Sequence, residues 1–75
     1  GPNPAKTRED LQAMVEFAIE NEFEIEILYV KADGSEVTDV IRPESLERGK
    51  VYAFCRGRGS YAVFSLDRIL SGKLV

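Results

Sequence analysis

The segment Val51–Ile69, VYAFCRGRGSYAVFSLDRI, limits the possible folds of this chain more than any other stretch. Two aromatic-rich β patterns, Val51–Cys55 and Tyr61–Ser65, flank the basic glycine loop Arg56–Ser60. Short β-branched and aromatic runs separated by a glycine-containing loop predict a β-hairpin. This hairpin would combine stacking surfaces, flexible backbone and positive charge, which are the features that hold an anionic ligand.

A helix is predicted upstream of this hairpin. Thr7 and Asp10 have the spacing of a capping box, which places the helix start at Thr7. Apolar residues then recur at helical spacing and predict one buried face: Leu11, Met14, Val15, Ala18 and Ile19. From Phe23 the apolar period changes to two, which predicts a half-buried strand with Phe23, Ile25, Ile27 and Tyr29 facing inward and glutamates facing solvent.

Asp33-Gly34 is a strong hairpin signal, because both central residues of a type I′ turn need positive φ. A two-residue turn here would place Val30 opposite Val37 and Lys31 opposite Glu36. The second strand is expected to end near Ile41, since Pro43 lacks the donor that a strand ladder requires.

The rest of the chain predicts turns and one more strand. Arg48-Gly49-Lys50 reads as a tight turn, Leu66–Ile69 as a short helical turn, and Leu70–Val75 as an edge strand. One helix followed by about five short strands indicates an α+β, mostly β fold: an N-terminal helix and a small five-stranded SH3/Sm-like β-barrel. Gly1-Pro2 resembles a protease-cleavage scar, so residues 1–6 are expected to be a flexible lead-in and residues 7–75 a single domain.

Composition excludes several classes of function. The 75 residues contain no histidine and only one cysteine, Cys55, so an intrachain disulfide is impossible and a transition-metal site has almost no ligands. No nucleophile and base can be paired, so an enzyme is the weakest interpretation, and no cofactor is expected. The chain has no apolar run of the roughly 18 residues that a membrane span needs, and no signal-peptide pattern, which favours a cytoplasmic protein.

The net charge of −3 conceals an asymmetry between the two halves of the chain. Residues 1–41 carry three basic and ten acidic side chains, net −7, whereas residues 42–75 carry seven basic and three acidic ones, net +4. Charges are screened beyond about 8–10 Å, so a ligand responds to the local field rather than the total. The second half could therefore attract an anion.

The order of these motifs resembles the WYL domain, a module of bacterial regulators and DNA-processing proteins. The similarity extends from about Ala18 to Val75 and is most specific at Phe64-Ser65-Leu66-Asp67-Arg68-Ile69, which matches the family's Phe-x-Leu-Asp-Arg-Ile ending. The Trp-Tyr-Leu triplet of the family is Val51-Tyr52-Ala53 here, and two family arginines are replaced by Ala62 and Ser65.

The resemblance implies a Sm-like barrel that senses single-stranded DNA or another nucleotide-type anion. Such a barrel passes the signal to an attached effector, such as a helicase, a nuclease or a winged-helix regulator. Transferred by position, the ligand-binding candidates are Tyr52, Arg56, Arg58 and Arg68, and Phe54 joins them because it shares a strand face with Tyr52.

Other interpretations remain open at this point. Arg56–Ser60 could be an ordinary solvated loop, and Arg68 could pair with Asp67 or another carboxylate to fix a corner of the barrel. The split of charge also suits a protein-interaction or homodimerisation module, in which an acidic face of one molecule meets a basic face of another.

Overall fold

The computed structural model describes residues 4–75, and Gly1-Pro2 therefore lies outside the described part of the chain. It consists of one α-helix, five strands and one 3₁₀ turn: α1 Arg8–Asn21, β1 Ile25–Val30, β2 Glu36–Glu47, β3 Lys50–Cys55, β4 Ser60–Ser65, the 3₁₀ turn Leu66–Arg68, and β5 Ile69–Leu74. The predicted helix, hairpin, helical turn and last strand are all present, and the fold is mostly β as expected.

The helix begins as predicted. The Thr7 hydroxyl accepts a hydrogen bond of 3.1 Å from the backbone N–H of Asp10, which satisfies one donor at the helix N-terminus. Leu11, Val15 and Ala18 are buried, and Met14 and Ile19 pack partly buried beside them. This apolar stripe faces β2, β5 and the 3₁₀ turn.

All five strands form one antiparallel sheet in the order β4-β3-β2-β1-β5. The sheet is not closed into the predicted SH3/Sm-like barrel: β4 and β5 are the two edges, and within residues 4–75 no pairing joins them. The sheet still curls, since Tyr29 of β1 and Phe64 of β4 meet edge to face at 5.0 Å. Helix α1 covers apolar surface that a closed barrel would enclose by itself.

The β1–β2 hairpin differs from the prediction by one residue. Tyr29 pairs with Val37 and Val30 with Glu36, so Lys31 does not face Glu36. The Asp33 carboxylate accepts hydrogen bonds from the backbone N–H and the hydroxyl of Ser35, at 2.9 and 2.6 Å. Only Gly34 has positive φ in this loop, which is typical of a three-residue turn with a bulge rather than a type I′ turn.

Strand β2 continues past the predicted end. It includes Pro43, which lies beyond the last β1 partner of this strand and faces Ala53 of β3, and the register shifts between Pro43 and Ser45. A proline is tolerated where only one neighbour needs a donor, next to a bulge. The predicted tight turn follows, with Arg48 at φ 52° and Gly49 at φ 75° between the paired Glu47 and Lys50.

The core is formed by inward-facing residues of the sheet and by the stripe of α1. The largest fully buried side chains include Phe64, Leu11, Ile25, Ile27, Ile41 and Val51. Leu66 and Ile69 are also buried, as predicted. Phe23 is an error of the sequence interpretation: it precedes β1, is exposed, and packs on Phe17.

The packed unit reaches further toward the N-terminus than expected. Ala5, assigned from the sequence to the flexible lead-in, is buried and exchanges backbone hydrogen bonds of 2.7 and 2.9 Å with Gly72 of β5. This bridge adds to the edge of the sheet. None of the helices in the described chain is long and apolar enough to cross a membrane.

Candidate ligand-binding surface

The outer side of the β3–β4 hairpin is the most distinctive surface of the molecule. Val51, Ala53 and Cys55 point into the core, so Tyr52 and Phe54 face outward with the period of two that a strand imposes. On β4, Tyr61 pairs with Phe54 and Val63 pairs with Tyr52. We call these four outward residues, Tyr52, Phe54, Tyr61 and Val63, the aromatic face.

The tyrosines of the aromatic face are stacked and accessible. The rings of Tyr52 and Tyr61 are nearly parallel, 8° apart, with centroids separated by 5.1 Å. Phe54 meets Tyr61 edge to face at 5.2 Å. Tyr52 is 44% exposed, Tyr61 47% and Val63 60%, so the free ring surfaces are open to a planar partner.

Both signs of charge surround the aromatic face. The guanidinium of Arg42 lies 5.7 Å from the centre of the Phe54 ring. Nη2 of the same arginine lies 3.8 Å from a carboxylate oxygen of Glu44. An open cleft of about 660 Å³ lies beside Tyr52 and Val63, and its other lining residues are Ser45, Glu47, Arg48 and Lys50. The surface is thus mildly basic, and its aromatic area is the larger feature.

Arg56, predicted to contact phosphate, is held by a carboxylate of its own chain. Its Nη2 and Nε atoms donate to the two carboxylate oxygens of Glu24, at 2.5 and 3.3 Å. The hydrogen bond with Arg56 lowers the pKa of Glu24 below its ordinary value. Two parallel hydrogen bonds of this kind fix the orientation of the guanidinium and neutralise its charge. Arg56 is therefore already paired in the ligand-free molecule.

Arg58 is also paired, at the mouth of the curled sheet. Its Nη2 lies 3.3 Å from the carboxylate of Asp39, whose side chain is only 14% exposed, and its guanidinium lies over the Phe64 ring at 5.9 Å. Beneath this pair is an open pocket of about 580 Å³ that Tyr29, Val37, Ala62 and Phe64 help to line. Arg58 therefore forms part of a pocket wall, and its side chain does not extend freely into solvent.

Arg68 lies apart from these groups, on the 3₁₀ turn. The alternative in which Arg68 pairs with Asp67 is not observed, because Asp67 is bonded to Arg8 of α1. Arg68 is exposed, and within residues 4–75 its side chain makes no hydrogen bond or salt bridge. It is the one predicted site arginine whose charge is not matched by a described neighbour.

One cysteine and the potential metal ligands complete the description of this surface. Cys55 is fully buried, and burial raises the pKa of its thiol, which keeps it protonated and unreactive at neutral pH. Within the described range, no three potential metal ligands cluster together.

Tyr61, Val63 and Arg42 are residues of this surface that the sequence interpretation missed. The signal was present for the first two. Since Phe64 belongs to the core, strand alternation sends Ala62 inward and Tyr61 and Val63 outward. Arg42 could not be located in this way, because its position over Phe54 depends on the extension of β2 through Pro43.

The fold and the aromatic face together define a small α+β module with a solvent-facing aromatic surface on its β3–β4 hairpin. The sequence matches no protein-family model and no curated protein. Among solved structures it is similar to proteasome accessory factor B/C (PafBC) of Arthrobacter aurescens, with a TM-score of 0.78 and 20% sequence identity. The match covers 99% of this chain and 12% of that chain, so it shows a shared fold within a much longer protein.

Proposed function

We propose that this chain is a non-catalytic ligand-sensing accessory module that binds single-stranded DNA or another nucleotide-type anion. In this proposal it acts in the cytoplasm and regulates an attached effector, such as a helicase, a nuclease or a transcription regulator. The observation that carries the proposal is the exposed stack of Tyr52 and Tyr61. Unpaired bases of single-stranded nucleic acids stack on accessible aromatic rings of this kind.

Stacking would supply most of the affinity. A base placed on an aromatic ring contributes about 1–3 kcal/mol and tolerates any sequence, because every base has a π-face. In the proposed complex, bases stack on the free sides of Tyr52 and Tyr61 and extend toward Phe54. Arg42 and Lys50, on the same face of the sheet, would approach the phosphates.

The three arginines predicted from the sequence have different roles in this proposal. Arg56 and Arg58 would contact phosphates by exchanging Glu24 and Asp39 for the ligand, which makes their contribution smaller than that of unpaired arginines. Arg68 would contact a more distant part of the strand, since its charge has no described partner. Both roles stay predictions until they are measured.

The regulatory part of the proposal has separate support. The similarity to the WYL domain implies a module that reports ligand binding to a neighbouring domain. A fold shared with 12% of a proteasome accessory factor is consistent with work as one part of a longer chain. The attached effector is accordingly the place where the consequence of binding would appear.

A salt titration tests the binding. Fluorescence anisotropy of a labelled single-stranded oligonucleotide is measured at several salt concentrations. With about three phosphate contacts, log affinity should fall against log salt with a slope near −2. The Tyr52→Ala, Tyr61→Ala double variant should bind at least tenfold more weakly, since about 1–3 kcal/mol is lost for each base.

The alternative of homodimerisation through oppositely charged faces has less support. Three salt bridges within one molecule join acidic residues of the first half of the chain to basic residues of the second: Glu24 with Arg56, Asp39 with Arg58, and Glu26 with Lys73. These pairs use charge that a head-to-tail dimer would need. Sedimentation across protein concentration separates the two functions, because a monomer that binds oligonucleotide excludes self-association as the main role.

A further inference from the structure

A second exposed apolar surface lies at the C-terminal end of α1, outside the aromatic face. Phe17 on the last turns of the helix and Phe23 just after it are 47% and 46% exposed. Their rings contact each other at 5.5 Å with a tilt of 60°. Two large aromatic side chains in contact, each half open to solvent, form a continuous apolar patch rather than scattered exposure.

The patch is bordered by carboxylates that no arginine or lysine neutralises, although Glu16 accepts a hydrogen bond of 3.4 Å from the side-chain amide of Gln12. Glu16, Glu20 and Glu22 are exposed, and within residues 4–75 none of them forms a salt bridge. By contrast, Glu24, Glu26, Asp39, Glu44 and Asp67 are each paired with an arginine or lysine. Other acidic residues also form no salt bridge in the described range: Glu9, Asp10, Asp33, Glu36 and Glu47. Glu16, Glu20 and Glu22 differ from these because they lie next to an exposed aromatic pair in the sequence.

The local backbone adds to this negative field. The last turn of α1 has no basic side chain, and Glu22 ends the helix in the left-handed region at φ 58°. A helix C-terminus carries partial negative charge and favours cations. Glu20 and Glu22 at this end are thus unfavourable for the isolated module and become favourable when a cation is supplied from outside.

We propose that Phe17 and Phe23, with Glu16, Glu20 and Glu22, form a docking site for a basic protein segment that carries one large apolar anchor. The anchor covers the phenylalanine pair, and lysine or arginine side chains on either side of it meet the glutamates and the helix end. Apolar anchors surrounded by complementary charge are the usual arrangement of a protein interface. The negative rim excludes nucleic acid from this site, so the docking site is independent of the function proposed above.

A synthetic peptide tests the docking site without knowledge of the natural partner. The chain contains no tryptophan, so a lysine-alanine peptide with one central tryptophan reports its own binding by a blue shift of its emission. A twin peptide with alanine at the tryptophan position, labelled for anisotropy, measures attraction by charge alone. The tryptophan peptide, with the same label, should bind at least fivefold more tightly than its twin.

Substitutions assign the binding to this surface. The Phe17→Ala, Phe23→Ala double variant should weaken binding of the tryptophan peptide at least fivefold and bring it close to that of the twin. The Glu20→Lys, Glu22→Lys double variant should weaken binding of both peptides at low salt. Glu36 is an exposed acidic residue on β2. Glu36→Lys is therefore the control and should change the affinity less than twofold. Circular dichroism checks that each variant is folded.

Three results would overturn the docking site: no binding of the tryptophan peptide at low salt, equal affinity for the two peptides, or equal weakening by Glu36→Lys. Loss of oligonucleotide binding has no bearing on this test, because the aromatic face lies on the β3–β4 hairpin. A failure of either proposal can therefore be recognised separately.

Discussion

Arg56 on the β3–β4 loop is bound to Glu24, 32 positions earlier in the chain, through both oxygens of the carboxylate. This contact connects the basic β3–β4 loop to the residue that directly precedes the acidic strand β1. It means that the positive charge seen in the sequence at this loop is largely matched within the folded molecule. The exposed tyrosines, rather than the loop arginines, are then the strongest argument for a ligand.

The Glu24–Arg56 pair predicts a specific dependence of stability on pH. Because the pKa of Glu24 is lowered in the folded state, the pair stabilises the fold above the ordinary glutamate pKa, and this contribution is lost as pH falls through the folded value. Glu24→Gln should therefore reduce the free energy of unfolding at pH 7 but make little difference at pH 3. Urea denaturation at the two pH values measures this, and an equal effect at both would contradict it.

Gly49 is predicted to be intolerant of a side chain. It has φ 75° in the turn between β2 and β3, and a Cβ there would lie 3.0 Å from Nη2 of Arg8. Gly49→Ala should lower the free energy of unfolding by about 1–2 kcal/mol. Gly57 is the matched control, because it lies outside the left-handed region and a Cβ would meet only ordinary contacts. Gly57→Ala should change stability by less than about 1 kcal/mol, and equal losses would contradict the turn geometry.

The Arg58–Asp39 pair is predicted to stabilise the mouth of the sheet. Asp39 is mostly buried and loses its partner in the Arg58→Ala variant. The free energy of unfolding should fall by about 1 kcal/mol. This value is at the low end for an unsatisfied buried group, because Arg58 is half exposed and the pair is partly screened by water. Asp39→Asn combined with Arg58→Ala should cost less than the sum of the two single changes. A double-mutant cycle by urea denaturation gives the coupling energy, and strict additivity would show that the two groups do not interact.

Much of the fold follows from local sequence. The Thr7 cap, the apolar stripe of α1 and the tight turn at Arg48-Gly49 were all predicted correctly. Each of them depends on residues that are close together in the sequence. The errors depend on competition between neighbours. Asp33 bonds to Ser35 instead of taking positive φ, which shifts the β1–β2 register by one residue.

The remaining errors involve tertiary context. Pro43 stays within β2 because β1 no longer pairs with β2 at that point. Phe23 leaves the core because α1 ends in a left-handed residue just before it. The sheet is open and α1 packs against it, an arrangement that the periodicity of the strands does not predict.

The candidate site was predictable in part. The sequence indicated the β3–β4 hairpin and placed Tyr52 and Phe54 on one face, and both lie on the aromatic face. Ion pairing of Arg56 and Arg58 could not be predicted, since Glu24 and Asp39 are distant in sequence and are brought to the loop only by the sheet order. Their roles in binding, and that of Arg68, stay predictions.

Nucleic-acid binding by the aromatic face can be measured by a nuclear magnetic resonance titration of the ¹⁵N-labelled chain with a short single-stranded oligonucleotide at low salt. We expect the largest backbone shift changes at Tyr52, Phe54, Tyr61 and Val63, smaller changes in the Arg56–Ser60 loop, and none at Phe17 or Phe23. An absence of shift changes, or changes centred on α1, would contradict the proposal that the aromatic face binds nucleic acid.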